Sequence, residues 1–466
     1  MKCFVVLLMI VVVWGRPVDA QELNLRYELG KRVERYELLW ESSSREERAA
    51  STAAMEKAVQ EFFRLDLVAA AKSLDDAWLS MLPSPTELQS TTAPVSLSAL
   101  PRLVDANQPV VDLTLKSIYP QTEPDWKDSD LIEIEISPLD SQSEPEKQSR
   151  KFPLTSLPIQ WRWELPSMKP GDYRVTGSVH HGGISVPVVG TQITIVKDKQ
   201  LRLDAINEWI EENKRAPKST SICTARMLGK QLVLAERGKN FECDLPLSWW
   251  LSDFESIVKQ SHRTDGPTER WQVLTDGKAE QVVRLQLPSK PIDKTSVIFA
   301  FHGAGGSENM FFEAYGAGRL IELARSRNWV VVCPRQGLSG LAMSTESMLP
   351  LIEKELGVAF ERVFLVGHSM GAAQAMEQFS KSQDRITAVA AIGGGGRIPP
   401  KTEATLRTSL YLSAGERDFG RGGVLKLRDG LKALSCKVDY SEYKDVEHLT
   451  IVQACLDELF QFLDRQ

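Results

Sequence analysis

Arg362-Val-Phe-Leu-Val366-Gly367-His368-Ser369-Met370-Gly371, running on into Ala372-Ala373-Gln374-Ala375-Met376, is the stretch on which the reading of the chain turns. The Val, Phe and Leu run predicts a strand buried on both faces, and the small residues after Gly371 predict the first turn of a helix. Between them lies the pattern G-x-S-x-G. A turn that joins strand to helix this sharply leaves no room for side chains flanking the serine, which is why Gly367 and Gly371 bracket it. The same strained turn lifts the hydroxyl clear of the sheet edge. Ser369 is therefore the candidate nucleophile.

A serine hydroxyl near neutral pH needs an imidazole to take its proton, and the imidazole needs a carboxylate to hold its tautomer. In a nucleophile turn of this kind both partners follow the serine along the chain. Of the six histidines (His180, His181, His262, His302, His368 and His448) only His448 does so. For the acid, Asp418 ends Ser409-Leu-Tyr-Leu-Ser-Ala-Gly-Glu-Arg-Asp418, a strand running into a glycine-bearing loop, with Asp445 and Glu416 as rivals. Attack on a carbonyl also creates an oxyanion, which calls for backbone donors. The Met370 amide is one candidate. The others are Gly303, Ala304 and Gly305, in a loop directly after the strand that begins at Val297; Ala304 interrupts the glycine run and leaves open which amide points inward. His302 and His368 read as orienting or packing residues.

From Arg270 onward, apolar strands alternate with helical patterns, which predicts a doubly wound, mostly parallel sheet with helices on both faces. His302 to Gly306, Gly367 to Gly371, Gly415 to Asp418 and His448 together resemble the α/β-hydrolase carboxylesterases related to polyhydroxybutyrate depolymerases and feruloyl esterases. The resemblance covers residues 268–466. It implies a secreted serine hydrolase of carboxylic esters, small or polymer-linked, needing neither metal nor organic cofactor. Little chain lies between Lys381 and Ser409 to build a helical cap, so an open site is expected. A serine peptidase of the same fold, or a binding protein that keeps the fold without catalysis, are the alternatives.

The 466 residues as a whole exceed what one core can hold, and several modules are expected. A composition of 42% hydrophobic and 25% charged residues is that of a globular chain, and a net charge of -6 without basic clusters sets nucleic acid aside. Residues 1–20 carry Lys2, an apolar run from Phe4 to Trp14 and the small-residue ending Val18-Asp19-Ala20. That is a signal-peptide pattern, too short to span a bilayer, and it predicts a secreted or periplasmic protein. The five cysteines beyond it cannot all pair; Cys223 with Cys243 is the pair to test. Stripes at Leu29, Val33, Tyr36 and Trp40, and at Phe63, Leu67, Ala70, Leu74 and Trp78, predict helices over residues 21–93 that pack on the rest of the protein. A period of two over residues 94–199 predicts strands. The turn at Pro170-Gly171-Asp172-Tyr173 resembles an immunoglobulin-like sandwich, in which a tyrosine hydroxyl ties a corner to upstream backbone. Residues 200–267 read as a helical connector whose Trp249, Trp250 and Phe254 pack between modules. On this reading residues 268–466 carry their own sheet, and a fragment begun near Thr264 is expected to fold and to hydrolyse small esters.

Overall fold

The computed structural model describes residues 20–120, 126–127, 129–139, 147–239, 242–260, 268–290, 292–337 and 340–466. The expected signal segment lies outside them, apart from Ala20, and so does His262. Three long helices come first: α1 (Ala20–Ser42), α2 (Arg45–Phe63) and α3 (Leu67–Ser80), followed by the short α4 (Glu87–Thr92). Ser44 starts α2 with a capping box, its hydroxyl accepting from the Glu47 amide while the Glu47 carboxylate accepts from the Ser44 amide. The stripe from Phe63 to Trp78 is not one helix. Phe63 ends α2, and Asp66 caps α3 by accepting from the Ala69 amide, so Phe63 stays 44% exposed while Leu67, Ala70, Leu74 and Trp78 are buried. An aspartate three residues after Phe63 and directly before Leu67 starts a new helix.

Eight strands follow: β1 (Val95–Leu100), β2 (Leu103–Asp105), β3 (Val110–Ser117), β4 (Leu131–Pro138), β5 (Gln148–Pro153), β6 (Ile159–Glu164), β7 (Gly171–His181) and β8 (Ile184–Val196). They pair in the order β5-β4-β7-β8-β1-β3-β6, with β2 on β8. Their alternating apolar residues, Leu97, Leu113, Ile132, Ile134, Val175 and Ile193 among them, share one core. The Tyr173 hydroxyl donates to the Lys169 carbonyl at 2.8 Å across the entry to β7, the tie anticipated at that turn. Helices α5 (Lys199–Glu212), α6 (Thr220–Glu236) and α7 (Leu247–Val258) then pack with Trp250 and Phe254 buried in a core that also takes in Leu103 and Trp271. Cys223 and Cys243 are free thiols, not a disulfide.

The remainder is built on β9 (Glu269–Thr275), β10 (Glu280–Gln286), β11 (Lys294–Phe301), β12 (Val330–Pro334), β13 (Ala359–His368), β14 (Ala388–Ile392), β15 (Ser409–Gly415) and β16 (Lys437–Tyr443). The order is β16-β15-β14-β13-β11-β12-β10-β9. All pairings are parallel except those of β10 with β9 and β12. Interleaved are α8 (Met310–Glu313), α9 (Arg319–Ser326), α10 (Thr345–Leu356), α11 (Met370–Lys381), α12 (Glu403–Arg407), α13 (Arg421–Ala433) and α14 (Ile451–Asp464). Side chains alternate across the sheet, so Val297, Phe299 and Leu365 meet α10, α11 and α13 on one face, while Ile298, Phe364 and Val366 meet α9 and α14 on the other. A doubly wound sheet explains the continuous apolar runs, because neither face of these strands reaches water. Among the described residues no helix is long and apolar enough to cross a membrane.

Candidate active site

Ser369 stands between the end of β13 and the start of α11 with φ 56° and ψ −116°, a backbone conformation that L-residues avoid. The packing forces it. A Cβ on Gly367 would run into the Gly371 carbonyl, and a Cβ on Gly371 into the carbonyl of Phe301 in β11. The Ser369 amide donates to the Ile392 carbonyl at the end of β14 (2.9 Å), which pins the turn at the carboxyl edge of the sheet.

The structure brings all three residues of the sequence reading together. Ser369 Oγ lies 2.9 Å from His448 Nε2, and His448 Nδ1 lies 2.6 Å from Asp418 Oδ1. A carboxylate can only accept, so Nδ1 carries the proton and Nε2 is left to accept from the serine hydroxyl. Asp418 sits just beyond β15, where Oδ1 also accepts from the Gly420 amide at 2.6 Å. The His448 loop is held by Glu447, whose buried carboxylate takes the Leu449 and Thr450 amides, each at 2.7 Å, ahead of α14. The rivals are engaged elsewhere: Asp445 faces Arg45 at 3.9 Å, and Glu416 accepts from the Asp445 amide.

His302 and His368 orient rather than face the nucleophile. The Gln336 amide donates to His302 Nε2 (3.0 Å), so its Nδ1–H donates to the Gly303 carbonyl (2.8 Å). His368 donates from Nε2 to the His448 carbonyl (2.8 Å) and accepts at Nδ1 from the Tyr315 hydroxyl (2.8 Å). Burial lowers the pKa of both rings, that of His368 furthest, and keeps both neutral. Tyr315 Oη in turn accepts from the Gly303 amide at 3.2 Å. Of the four backbone groups named as oxyanion candidates, Gly303 is therefore already engaged. Met370, Ala304 and Gly305 have amides with no acceptor among the described residues. The Gly303 Cα still lies against the site, since a Cβ there would sit 3.4 Å from Ser369 Cβ.

The expectation of an open site is corrected. The chain between Lys381 and Ser409 supplies no cap, as read, but α1, α2 and α3 supply a roof from the other end of the sequence. A cavity of about 200 Å³ lies between these helices and the loops that carry Ser369, His448 and Gly303 to Gly306. The Phe62 ring packs on Gly305 so closely that a Cβ there would meet it at 2.7 Å. Phe63 meets Phe419 edge-on at 5.9 Å, and Phe419 lies over the His448 ring at 3.8 Å between centroids. Glu37 of α1 inserts its carboxylate among the backbone amides of the loop after α8, accepting from Tyr315 (2.9 Å) and Ala317 (3.0 Å). Tyr315, Gly316, Ala317 and Gly318 all have positive φ; the first three turn their N–H groups toward the Glu37 carboxyl, while the Gly318 amide donates to the Ala314 carbonyl at 3.2 Å. Sequence reading missed Glu37, Phe62, Tyr315 and Phe419; only Phe419, next to Asp418, carried a local signal.

No protein-family model and no curated protein matches the chain. Among solved structures it is similar to a ferulic acid esterase, at 14% identity and a TM-score of 0.37 over 42% of this chain and 97% of that one. It is also similar to an S-formylglutathione hydrolase from Agrobacterium tumefaciens (14%, TM-score 0.34, 43% of this chain and 96% of that one). A thermostable carboxyl esterase from Bacillus coagulans gives 12%, TM-score 0.35, and 42% and 98% of the two chains.

Proposed function

We propose that this chain is a serine hydrolase of α/β-hydrolase fold that cleaves carboxylic esters through an acyl-enzyme. The observation that carries this reading is the unbroken chain of hydrogen bonds from Ser369 Oγ through His448 to Asp418, at 2.9 and 2.6 Å, with the serine on a strained turn. His448 takes the hydroxyl proton as Ser369 attacks the ester carbonyl, and Asp418 stabilises the imidazolium that forms. The Met370 and Ala304 amides receive the oxyanion, with Gly305 as the alternative to Ala304. His448 then protonates the departing alcohol, and water repeats the sequence to release the acid. Each oxyanion donor contributes roughly 3 to 4 kcal/mol to such a barrier. Residues 1–20 would direct the protein out of the cytoplasm, and the β-rich residues 94–199 would be an immunoglobulin-like module alongside the catalytic one.

The test is hydrolysis of p-nitrophenyl acetate beside aminoacyl anilides by the purified chain. Ester cleavage and fluorophosphonate labelling that both vanish in Ser369→Ala, with kcat down by about four decades or more, are the expected result. Faster cleavage of the anilides would make the protein a peptidase, and full labelling of Ser369→Ala would remove the nucleophile.

A further inference from the structure

We infer that α1, α2 and α3 are the substrate-binding wall of this site, and that they select esters with an apolar arm. The inference rests on the ester-hydrolase reading and specifies its substrate. The cavity that reaches Ser369 and His448 is walled on the far side by Leu29 and Val33 of α1, Met55, Val59 and Phe62 of α2, and Leu74 of α3. None of these can bond a polar group. Leu29, Met55 and Leu74 belong to the core that holds the three helices together, so the wall is a face of that core and not a mobile flap. Charged residues also line the cavity, among them Arg26, Lys31, Glu34, Glu242, Asp244 and Glu313, but the wall that these helices set opposite the serine is aliphatic and aromatic. A methyl ester of a small acid would leave most of the apolar lining facing water. An arm of several methylenes, or a ring, would displace that water at roughly a fourfold gain in binding per methylene buried.

Two positions on α2 separate this from a structural role, because they move the same property in opposite directions. Val59 and Phe62 are both only half-buried, so changes there are tolerable to the fold. Val59→Trp fills the cavity and Phe62→Ala enlarges it. The readout is a ratio of kcat/KM values: p-nitrophenyl octanoate over acetate for the acyl side, and octyl over ethyl acetate for the alcohol side. In the wild type at least one ratio should exceed ten. Val59→Trp should lower that ratio at least tenfold and Phe62→Ala should shift the optimum to a longer arm, while Leu38→Trp, on the exposed face of α1, leaves it within twofold. Whichever series responds identifies the side of the ester that the helices hold. Ratios near one in the wild type, or unmoved by both α2 variants, overturn the inference while leaving the hydrolase standing. Should the wild type cleave no ester, calorimetry with octanoate and with octan-1-ol decides instead. Binding weakened tenfold by Val59→Trp keeps the apolar wall and discards the hydrolase, and absent or unchanged binding discards both.

Discussion

The hydroxyl of Tyr315 bridges two residues and reaches a third through the second, and its position shows how much of this site is backbone order. It accepts from the Gly303 amide and donates to His368 Nδ1, while His368 holds the carbonyl of His448. The phenol is buried, and burial raises its pKa well above the ordinary range, so it remains a donor at every working pH. Tyr315→Phe leaves a buried N–H and a buried imidazole nitrogen unpaired, a loss of about 1 to 3 kcal/mol. The expected outcome is a fall in kcat of about tenfold or more with KM little changed, because the oxyanion loop and the His448 loop shift while the apolar wall stays. A fall in melting temperature alone, with kcat intact, would show that Tyr315 only stabilises. The grouping of Ser369, Asp418 and His448 was legible in sequence because its constraints are local: a Gly on each side of Ser369, an acid at a strand end, and a single histidine after the serine. Tyr315 was not, since nothing near it in sequence marks a residue whose partner is 53 positions away.

Between elements, α1 is joined to the catalytic sheet by a carboxyl group in an unfavourable place. Burial pushes Glu37 up to about 8, more than the Ala317, Gly316 and Tyr315 amides pull it down, and Glu34 adds to the rise. A pKa raised in the folded state means that the native protein binds a proton which the unfolded chain has lost. The associated stability is complete below about 4.5 and is lost as pH climbs through about 8, at up to about 1.4 kcal/mol per pH unit. Melting temperatures should therefore drop more steeply between pH 6 and 9 in the wild type than in Glu37→Gln, whose side chain does not titrate. The variant should also be less stable at pH 6, because an amide nitrogen cannot accept the second backbone N–H. Parallel profiles for the two proteins would mean that Glu37 does not control the pH dependence. The helix pattern predicted α1 as a packing element, and its contact with Tyr315 was hidden because the two positions are 278 residues apart. Periodicity reports which face of a helix is buried and says nothing of what covers it.

Taken as a whole, the hydrolase proposed here is one whose front half is built into the site. Ser369, Asp418 and His448 all come from the last hundred positions and the loop of Ala304 also lies beyond Thr264, which made a fragment beginning there look self-sufficient in sequence. The contacts argue otherwise. Gln453 of α14 donates to the Glu37 carbonyl (3.2 Å) and to Glu41 (2.7 Å), and Arg417, one residue before Asp418, pairs with Glu56 of α2 at 2.9 Å. Thr52 donates to the Asp445 carbonyl in the His448 loop at 2.7 Å. Trp271 of β9 meets Trp250 of α7 edge-on at 5.1 Å, and the Val273 amide of β9 donates to the Thr224 hydroxyl of α6 at 2.9 Å, so the front of the chain also packs on the edge strand of the sheet. Stripping residues 1–267 would leave the Tyr315, Gly316 and Ala317 amides without the Glu37 carboxyl, release the loops that carry Asp418 and His448, and expose Trp271 and Leu449 as a fresh apolar surface. Such a fragment should aggregate or melt at least about 10 °C below the full chain. Where it stays soluble, it should cleave p-nitrophenyl acetate at least tenfold more slowly and show no preference for longer apolar arms. Light scattering, thermal melts and the ester series measure each part of this. A monomeric fragment with the activity and chain-length profile of the full protein would mean that the helices merely rest on a site complete without them.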